Sequence, residues 1–483
     1  MTSAVTARRL LLVGLVAATF RLLFIIWGAT GWYVVEQDVL SRTYFRQGYA
    51  LCAGYGYVRE EMKWETLIEV ERQVLDGQRV TPANATSSES AHFIPDMQHP
   101  PGMAILVAAV HAATGARADL VVEVLGGLLD SLAACLLYWL VATFFSPRVG
   151  FVAGLVYALY PPLVYISTLS RSPDGFLPVF VLGCLSCVLL ATRAAEWRRM
   201  AWCVAGGAVL GLGSYFRPDY LLLPVALGFA LWVYTRRFRQ SLAAGLVLQA
   251  TALLVLLPWA VRNHHYCGRW VFTSTCVGWA LVNGLAENAN PWGFGGLDED
   301  RYKEAEAAGI DSPGSAEGDE FFRHKFWEAV KDNPTGYFAA VMKRVPMAIL
   351  APQSFGFDNP CKTRRFSESR AEGQDRFGVV LSDPWYVFRA YWDWLLMGGV
   401  AFVALLCSLY MVVRERRRFG LMLLLFAPHL YAVGSHLPIY FESRYVLPSI
   451  FCLLVGLAYV IARGWRDLPA EPGRPLEAAA CAT

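Results

Sequence analysis

The chain has 483 residues, 56% of them hydrophobic and 14% aromatic, and a formal net charge of +3. That apolar excess is more than a soluble domain buries, so it excludes an ordinary soluble enzyme and a disordered chain in favour of a polytopic membrane protein. The small total charge gives no basis for a nucleic-acid partner. The informative quantity is where the basic residues sit along the chain.

Crossing a hydrocarbon core takes about 20 helical residues. Ten apolar stretches approach that length: Leu10 to Thr30, Leu120 to Phe144, Val149 to Leu169, Gly175 to Thr192, Ala201 to Phe216, Tyr220 to Tyr234, Leu242 to Val261, Tyr391 to Val413, Phe419 to Leu437 and Val446 to Ala462. The first follows Arg8 and Arg9 without a small-residue cleavage site, which predicts a retained anchor and a cytoplasmic N-terminus. The positive-inside rule then places "SPR" (146–148), "RAAEWRR" (193–199), "TRRFR" (235–239), "RERRR" (414–418) and the stretch from Arg463 to Arg466 in the cytoplasm. The C-terminus follows, with residues 470–483 read as a disordered cytoplasmic tail.

One further apolar stretch, "GMAILVAAVHAATG" after the double proline Pro100-Pro101, has about 13 apolar residues and is too short to span. If it crossed, every basic cluster beyond it would move to the outside. It is therefore expected to lie on the outer surface. Two large segments then face outward, Gly31 to Asp119 and Arg262 to about Phe388, and their aromatic content predicts packed structure rather than linker. The stretch Asp332 to Pro352 reads as a second interfacial helix, and residues 1–469 read as a single membrane domain.

Most of the eleven cysteines fall inside predicted spans, where a thiol acts as a small apolar side chain. Cys52, Cys267, Cys276 and Cys361 lie in the outer segments, where an oxidising compartment permits a disulfide that the sequence does not pair. No spacing of His, Cys and carboxylates matches a closed metal site, and neither a metal nor another cofactor is expected.

Candidate chemistry begins just beyond the first span, in "GWYVVEQDVLSRTYF". Glu36 and Asp38 there stand at headgroup level, either as interfacial acids that end a helix or as a general base within reach of an acceptor's proton. Arg217 in "YFRPDYLL", Arg262 in "PWAVRNHHYCG" and Arg444 in "IYFESRYVLPS" each fall at the predicted outer end of a span. Their planar forks suit phosphate oxygens, while a snorkelling interfacial role is the plain alternative. His99, His429 and His436 add polar groups at similar depth. Arg21 interrupts the first span midway and needs a partner in lipid. Asp130, about ten residues into the antiparallel second span, reaches the same depth at ~1.5 Å per residue, which predicts a structural ion pair.

These residues resemble the GT-C membrane glycosyltransferases, in particular the protein O-mannosyltransferase and aminoarabinose-transferase-like group (glycosyltransferase family 39-like). The resemblance rests on an Asp after the first helix, a following Tyr and "GYGY", then "DMQHPPGMAIL" with Asp96 and His99, "PWAVRN", and "ESRYVLP". It implies an all-α polytopic bundle and inverting transfer of a sugar from a polyprenyl-phosphate donor to an extracytoplasmic lipid, glycan or protein acceptor, at the face of an inner membrane. In that reading Asp38 is the base, with Glu36 the alternative, and Arg217, Arg262, Arg444, His99 and Asp96 contact donor or phosphate. Two departures stand out: Val39 follows Asp38 where the family often has an acidic pair, and Glu123 stands where the mannosyltransferases carry an Arg. A transporter or lipid flippase is the alternative class, but it predicts internal repeats that are not found here.

Overall fold

The computed structural model describes residues 3–29, 39–60, 65–84, 93–115, 117–168, 172–286, 290–295, 298–310, 312–350 and 384–464. Its elements run α1 (Ser3–Ala29), α2 (Val39–Cys52), β1 (Val58–Glu60), α3 (Glu65–Leu75), β2 (Phe93–Pro95), α4 (Gly102–Thr114), α5 (Asp119–Phe144), α6 (Pro147–Leu159), α7 (Pro161–Ser167), α8 (Leu177–Arg193), α9 (Glu196–Ser214), α10 (Leu223–Thr235) and α11 (Phe238–Cys267). They continue with α12 (Val277–Ala286), α13 (Asp298–Ala307), α14 (Ala316–Asp332), α15 (Pro334–Leu350), α16 (Pro384–Arg414), α17 (Phe419–His436), α18 (Ser443–Val446) and α19 (Phe451–Gly464). The protein is a multi-pass helical membrane protein.

Among the described residues, six helices are long and apolar enough to cross a bilayer, or seven if the bent pair α6–α7 counts as one span. The sequence predicts ten. The stretches that fall short are 201–216, where Glu196, Arg198 and Arg199 occupy the start of α9, and 391–413 and 446–462, whose apolar helices are the shorter Gly398–Arg414 and Phe451–Gly464, while residues 147–167 bend by 59° between α6 and α7. The α4 helix has 13 residues, bounded by Pro101 and by Gly115 in the left-handed region at φ 68°, and is too short to span.

Helix α1 shows how a membrane helix divides its faces. Val13, Ala17, Arg21 and Ile25 recur every four residues and are buried, while Leu11, Leu12, Leu15, Leu22, Leu23 and Ile26 are exposed where hydrocarbon would lie. The buried stripe carries the charge. Arg21 Nε donates to Asp130 Oδ2 at 2.8 Å, its Nη2 donates to the same oxygen, and Tyr157 Oη donates to Asp130 Oδ1. Arg21 Nη1 donates to the carbonyls of Ala17 and Ala158, both at 3.0 Å.

The contact with Ala158 has a backbone cause. In a continuous helix its carbonyl would accept from residue 162, but that residue is proline and has no N–H. Arg21 supplies the missing donor, so the break at "YPP" and the charge in α1 are solved together. Beyond the break, α7 runs against α5 so closely that a Cβ on Gly126 would lie 2.2 Å from the Ser167 carbonyl oxygen.

The segment between α1 and α5 packs α2 on α4. Tyr44, Phe45, Tyr49, Met103, Val107 and Val110 form one buried cluster, and Gly48 lets the helices approach, since a Cβ there would sit 2.6 Å from Val107 Cβ. β1 and β2 pair antiparallel with Val58 opposite Pro95 and Glu60 opposite Phe93. In the second large segment, α15 covers the stretch expected as an interfacial helix, with Phe338 and Met342 exposed, while Arg344 is 1% exposed and donates to the carbonyls of Leu437, at 2.7 Å, and Gly284. Cys52, Cys267 and Cys276 carry free thiols, and Cys361 lies outside the described residues.

The buried network makes a quantitative prediction. Arg21→Leu or Asp130→Leu alone should lower stability by about 3–5 kcal/mol, because each strands the opposite charge. The double replacement should lose clearly less, leaving about 1–3 kcal/mol for the Ala158 carbonyl and Tyr157 hydroxyl deprived of partners. Unfolding of the four proteins in detergent gives the cycle, and strictly additive losses would show that the pair is not coupled.

Candidate active site

Two Pro-Asp turns set the site. Ser172-Pro173-Asp174 opens α8, with the Ser172 hydroxyl donating to Asp174 Oδ2 at 2.6 Å. Arg217-Pro218-Asp219 leads into α10. Proline at the first position of each turn removes an N–H that would lack a partner, and a carboxylate beside a helix N-terminus is favoured by the helix dipole. The turns bring Asp174 and Asp219 to one guanidinium nitrogen: Arg217 Nε lies 2.6 Å from Asp174 Oδ1 and 3.3 Å from Asp219 Oδ2.

Arg217 is 9% exposed. Burial alone would lower its pKa, but the carboxylates of Asp174 and then Asp219 outweigh it and hold the group well above the usual arginine range. Its contacts are ionic rather than well-angled hydrogen bonds, and among the described residues Arg217 Nη2 has no hydrogen-bond acceptor. The guanidinium faces the Tyr445 ring at 5.1 Å from the centroid, and the Arg444 guanidinium faces the same ring at 5.4 Å. Arg444 in turn pairs with Glu442. His436 stacks on Tyr445 at 4.7 Å and places Nε2 3.8 Å from Asp219 Oδ1. The structure thus gathers Arg217 and Arg444 around one aromatic ring, among three carboxylates.

The second part of the site comes from the loop between β2 and α4. Asp96 accepts from the Gln47 side-chain amide, from the Gln98 N–H at 2.7 Å, and from His99 Nδ1 at 3.2 Å. Since a carboxylate only accepts, Nδ1 of His99 carries the hydrogen and its Nε2 is left as the acceptor. Tyr44 joins the two parts: its ring meets His99 edge-on at 5.5 Å, and its phenol feels Arg217, Asp174 and Asp96. Burial pushes the Tyr44 and Tyr445 phenols well above their ordinary value, so both act as donors and not as bases at neutral pH.

Arg262, expected as a phosphate contact, is engaged here by backbone carbonyls. Its Nη1 donates to the Asp96 carbonyl and its Nη2 to the Tyr57 carbonyl, both at 2.7 Å, with a further donation to Asn263 Oδ1 at 2.9 Å. The rings of Trp259, Tyr266 and Tyr57 lie 4.7, 4.8 and 5.6 Å from it. It is a clasp that holds the Asp96–His99 loop to the end of α11. His429 is buried beside Ser449 at 3.1 Å, away from this cluster. Asp38 and Glu36 lie outside the described residues.

Sequence reading passed over Asp174, Asp219, Glu442, Tyr44, Gln47 and Tyr445. For two of them a signal was present, since "SPD" and "RPD" each stand immediately before a span. The contacts of Tyr44, Gln47 and Tyr445 with His99, Asp96 and Arg217 span about 50 to 230 residues, while Glu442 pairs with Arg444 only two residues away.

The family model for dolichyl-phosphate-mannose-protein mannosyltransferase matches residues 98–261, about a third of the chain, including His99, Asp174, Arg217 and Asp219. No curated protein matches the sequence. Among solved structures, the apo oligosaccharyltransferase of Archaeoglobus fulgidus aligns over 95% of this chain and 51% of its own, with TM-score 0.51 and 15% identity. The chain has the GT-C fold. The same archaeal enzyme, tethered through a disulfide to an acceptor peptide containing the NVT sequon, gives TM-score 0.51, 15% identity, and coverage of 95% and 50%. The GT-C chain therefore spans about half the length of that enzyme. ArnT from Cupriavidus metallidurans in the apo state aligns at 16% identity over 92% of this chain and 78% of its own, but its TM-score of 0.34 is too low to define a common fold.

The clasp can be tested directly in the GT-C chain. Arg262→Lys should lower stability by about 1–3 kcal/mol, because an ammonium cannot bridge two carbonyls with a planar fork. It should also increase proteolytic cutting of residues 93–101. Unchanged unfolding and unchanged cutting would mean that the loop is held by other contacts.

Proposed function

We propose that the chain is a membrane glycosyltransferase that moves a sugar from a polyprenyl-phosphate-linked donor to an acceptor, at the end of the bundle where Arg217 and Arg444 meet. The observation that carries this reading is the buried Arg217 guanidinium with Nη2 lacking an acceptor among the described residues, beside a second arginine on the same ring. A desolvated cation with an unclaimed donor suits an anionic oxygen that is present only with substrate. The family match over residues 98–261 and the GT-C fold support the same class of chemistry.

In this reading the acceptor oxygen attacks the anomeric carbon as the bond from that carbon to the phosphate oxygen breaks. The acceptor's proton passes to Asp38, or to Glu36 in its place. The bonding electron pair leaves with the phosphate, whose added charge Arg217 and Arg444 stabilise. One in-line displacement inverts the anomeric centre. Asp38 immediately precedes α2 in sequence, and α2 carries Tyr44 and Gln47 into the site. Tyr44 and His99 line the path between the two halves and suit hydroxyl groups of sugar or acceptor. The acceptor belongs to the classes lipid, glycan or protein.

The site end is assigned to the extracytoplasmic face of the inner membrane, because the arginine-rich connections lie at the opposite ends of α10 and α17. Both termini are then cytoplasmic.

Asp38→Asn should preserve folding and donor binding while lowering transfer from a labelled polyprenyl-phosphate sugar by about a hundredfold or more. Near-normal turnover would move the base to Glu36 or elsewhere. Arg444→Ala should raise the KM for that donor with little change in stability, and unaltered donor kinetics would remove Arg444 from the site. For the topology, a cysteine at exposed Ala113, in a chain stripped of native cysteines, should react with a membrane-impermeant thiol reagent from the extracytoplasmic side. Labelling only from the cytoplasm would reverse the orientation.

A further inference from the structure

A second concentration of arginine lies at the opposite end of α17 from His436, ~27 Å away by helix rise. Two connections distant in sequence meet there. Gly420 packs on α10 so closely that a Cβ would lie 2.6 Å from Tyr234 Cα, which sets residues 414–418 beside the "TRRFR" connection at 235–239. Arg414 and the Arg416–Arg418 turn are exposed, and no carboxylate among the described residues pairs with them. The one acid in the run, Glu415, is engaged elsewhere through Oε1, which accepts from Tyr459 Oη at 2.5 Å and from Arg463 Nη2 at 3.1 Å.

The arginines line a cavity of about 550 Å³, and its remaining wall is Glu415 together with Tyr410 and Val413 from the last turns of α16. Val413 is 73% exposed and Tyr410 51%. Basic residues that serve only to orient a protein in the membrane need charge, but not convergence on a cavity. Here like charges are held side by side, with their nearest acid engaged elsewhere, at a depth where an apolar wall runs from them toward the hydrocarbon. A ligand that joins an anion to an apolar chain satisfies both surfaces.

We propose that this cleft binds an anionic phospholipid of the leaflet opposite the proposed catalytic site, its headgroup phosphate against Arg414 and Arg416–Arg418 and its acyl chain along Val413 and Tyr410. A zwitterionic lipid brings its own cation into a site already in positive excess, and free phosphate makes no use of the apolar wall. The assignment is independent of the reaction proposed above.

Native mass spectrometry of the full chain in detergent, titrated with phosphatidylglycerol and separately with phosphatidylcholine, tests it. Phosphatidylglycerol should be retained and phosphatidylcholine not. At about fivefold per arginine near a lipid surface, Arg416→Gln, Arg417→Gln and Arg418→Gln together should weaken retention on the order of 100-fold. Arg198→Gln with Arg199→Gln, in the first turn of α9, should leave it unchanged. Equal retention of the two lipids by the wild-type chain overturns the proposal whatever the variants do. So does equal loss in both sets of variants, or displacement of phosphatidylglycerol by an equimolar amount of inorganic phosphate.

Discussion

The fold turns on one guanidinium in the middle of the bundle. Arg21 binds a carboxylate on α5 and the carbonyl on α6 that Pro162 leaves without a donor. An unpaired charge or an orphaned carbonyl at this depth would each cost several kcal/mol in lipid. Placed together they satisfy each other, and Tyr157 fills the second carboxylate oxygen. The bend that this permits swings α7 against Gly126, and the chain returns to the Ser172–Asp174 turn with Gly175 against the Ile166 carbonyl, where a Cβ would lie 2.2 Å from the oxygen. Asp174 reaches Arg217 by that route. The mid-membrane pair and the site are successive parts of one backbone path.

The same solution recurs at other chain breaks. Arg262 takes the carbonyls of Tyr57 and Asp96, and Arg344 takes those of Leu437 and Gly284. Each joins segments far apart in sequence, and each acts at or near the end of a regular helix or strand, although the Tyr57 carbonyl also accepts from the Asp96 N–H at 3.1 Å. Arg344 does so one residue beyond the end of α17, and Tyr337 holds the next carbonyl, that of Pro438, at 2.9 Å. The stretch that carries Glu442 and the short helix α18, with Arg444 and Tyr445, is thereby fastened to the second large segment. Arginine suits this work because its fork offers several donors in fixed directions and does not lose its charge.

Arg217 differs from these three in what surrounds it. Its neighbours are carboxylates and an aromatic face rather than carbonyls, and the ionic contacts leave Nη2 without an acceptor among the described residues. Asp174 and Asp219 keep the guanidinium charged despite burial, while Tyr44 and Tyr445 stay protonated beside it. The result is a desolvated, preorganised cation with neutral donors around it, an arrangement suited to charge that develops on an oxygen during reaction.

The sequence by itself determined the class of protein, the apolar spans, the brevity of α4 and the depth match of Arg21 with Asp130, because each follows from length, hydrophobic run and helix rise along a contiguous stretch. It also singled out Arg217, Arg444, Asp96 and His99, since charged residues at span ends are conspicuous against an apolar background. It placed Asp38 and Glu36 at the start of the first large segment, outside the described residues. What it left undivided was which arginines are engaged by backbone carbonyls and which by carboxylates: Arg262 and Arg217 look alike as single letters at span ends. That distinction depends on where orphaned carbonyls fall, and so on the 59° bend at the double proline, the two Pro-Asp turns and the approach of segments as far apart as Tyr57 and Arg262. Only the tertiary structure decides it, because a guanidinium's role is set by the acceptors that surround it in space, and those come from parts of the chain that no local pattern connects.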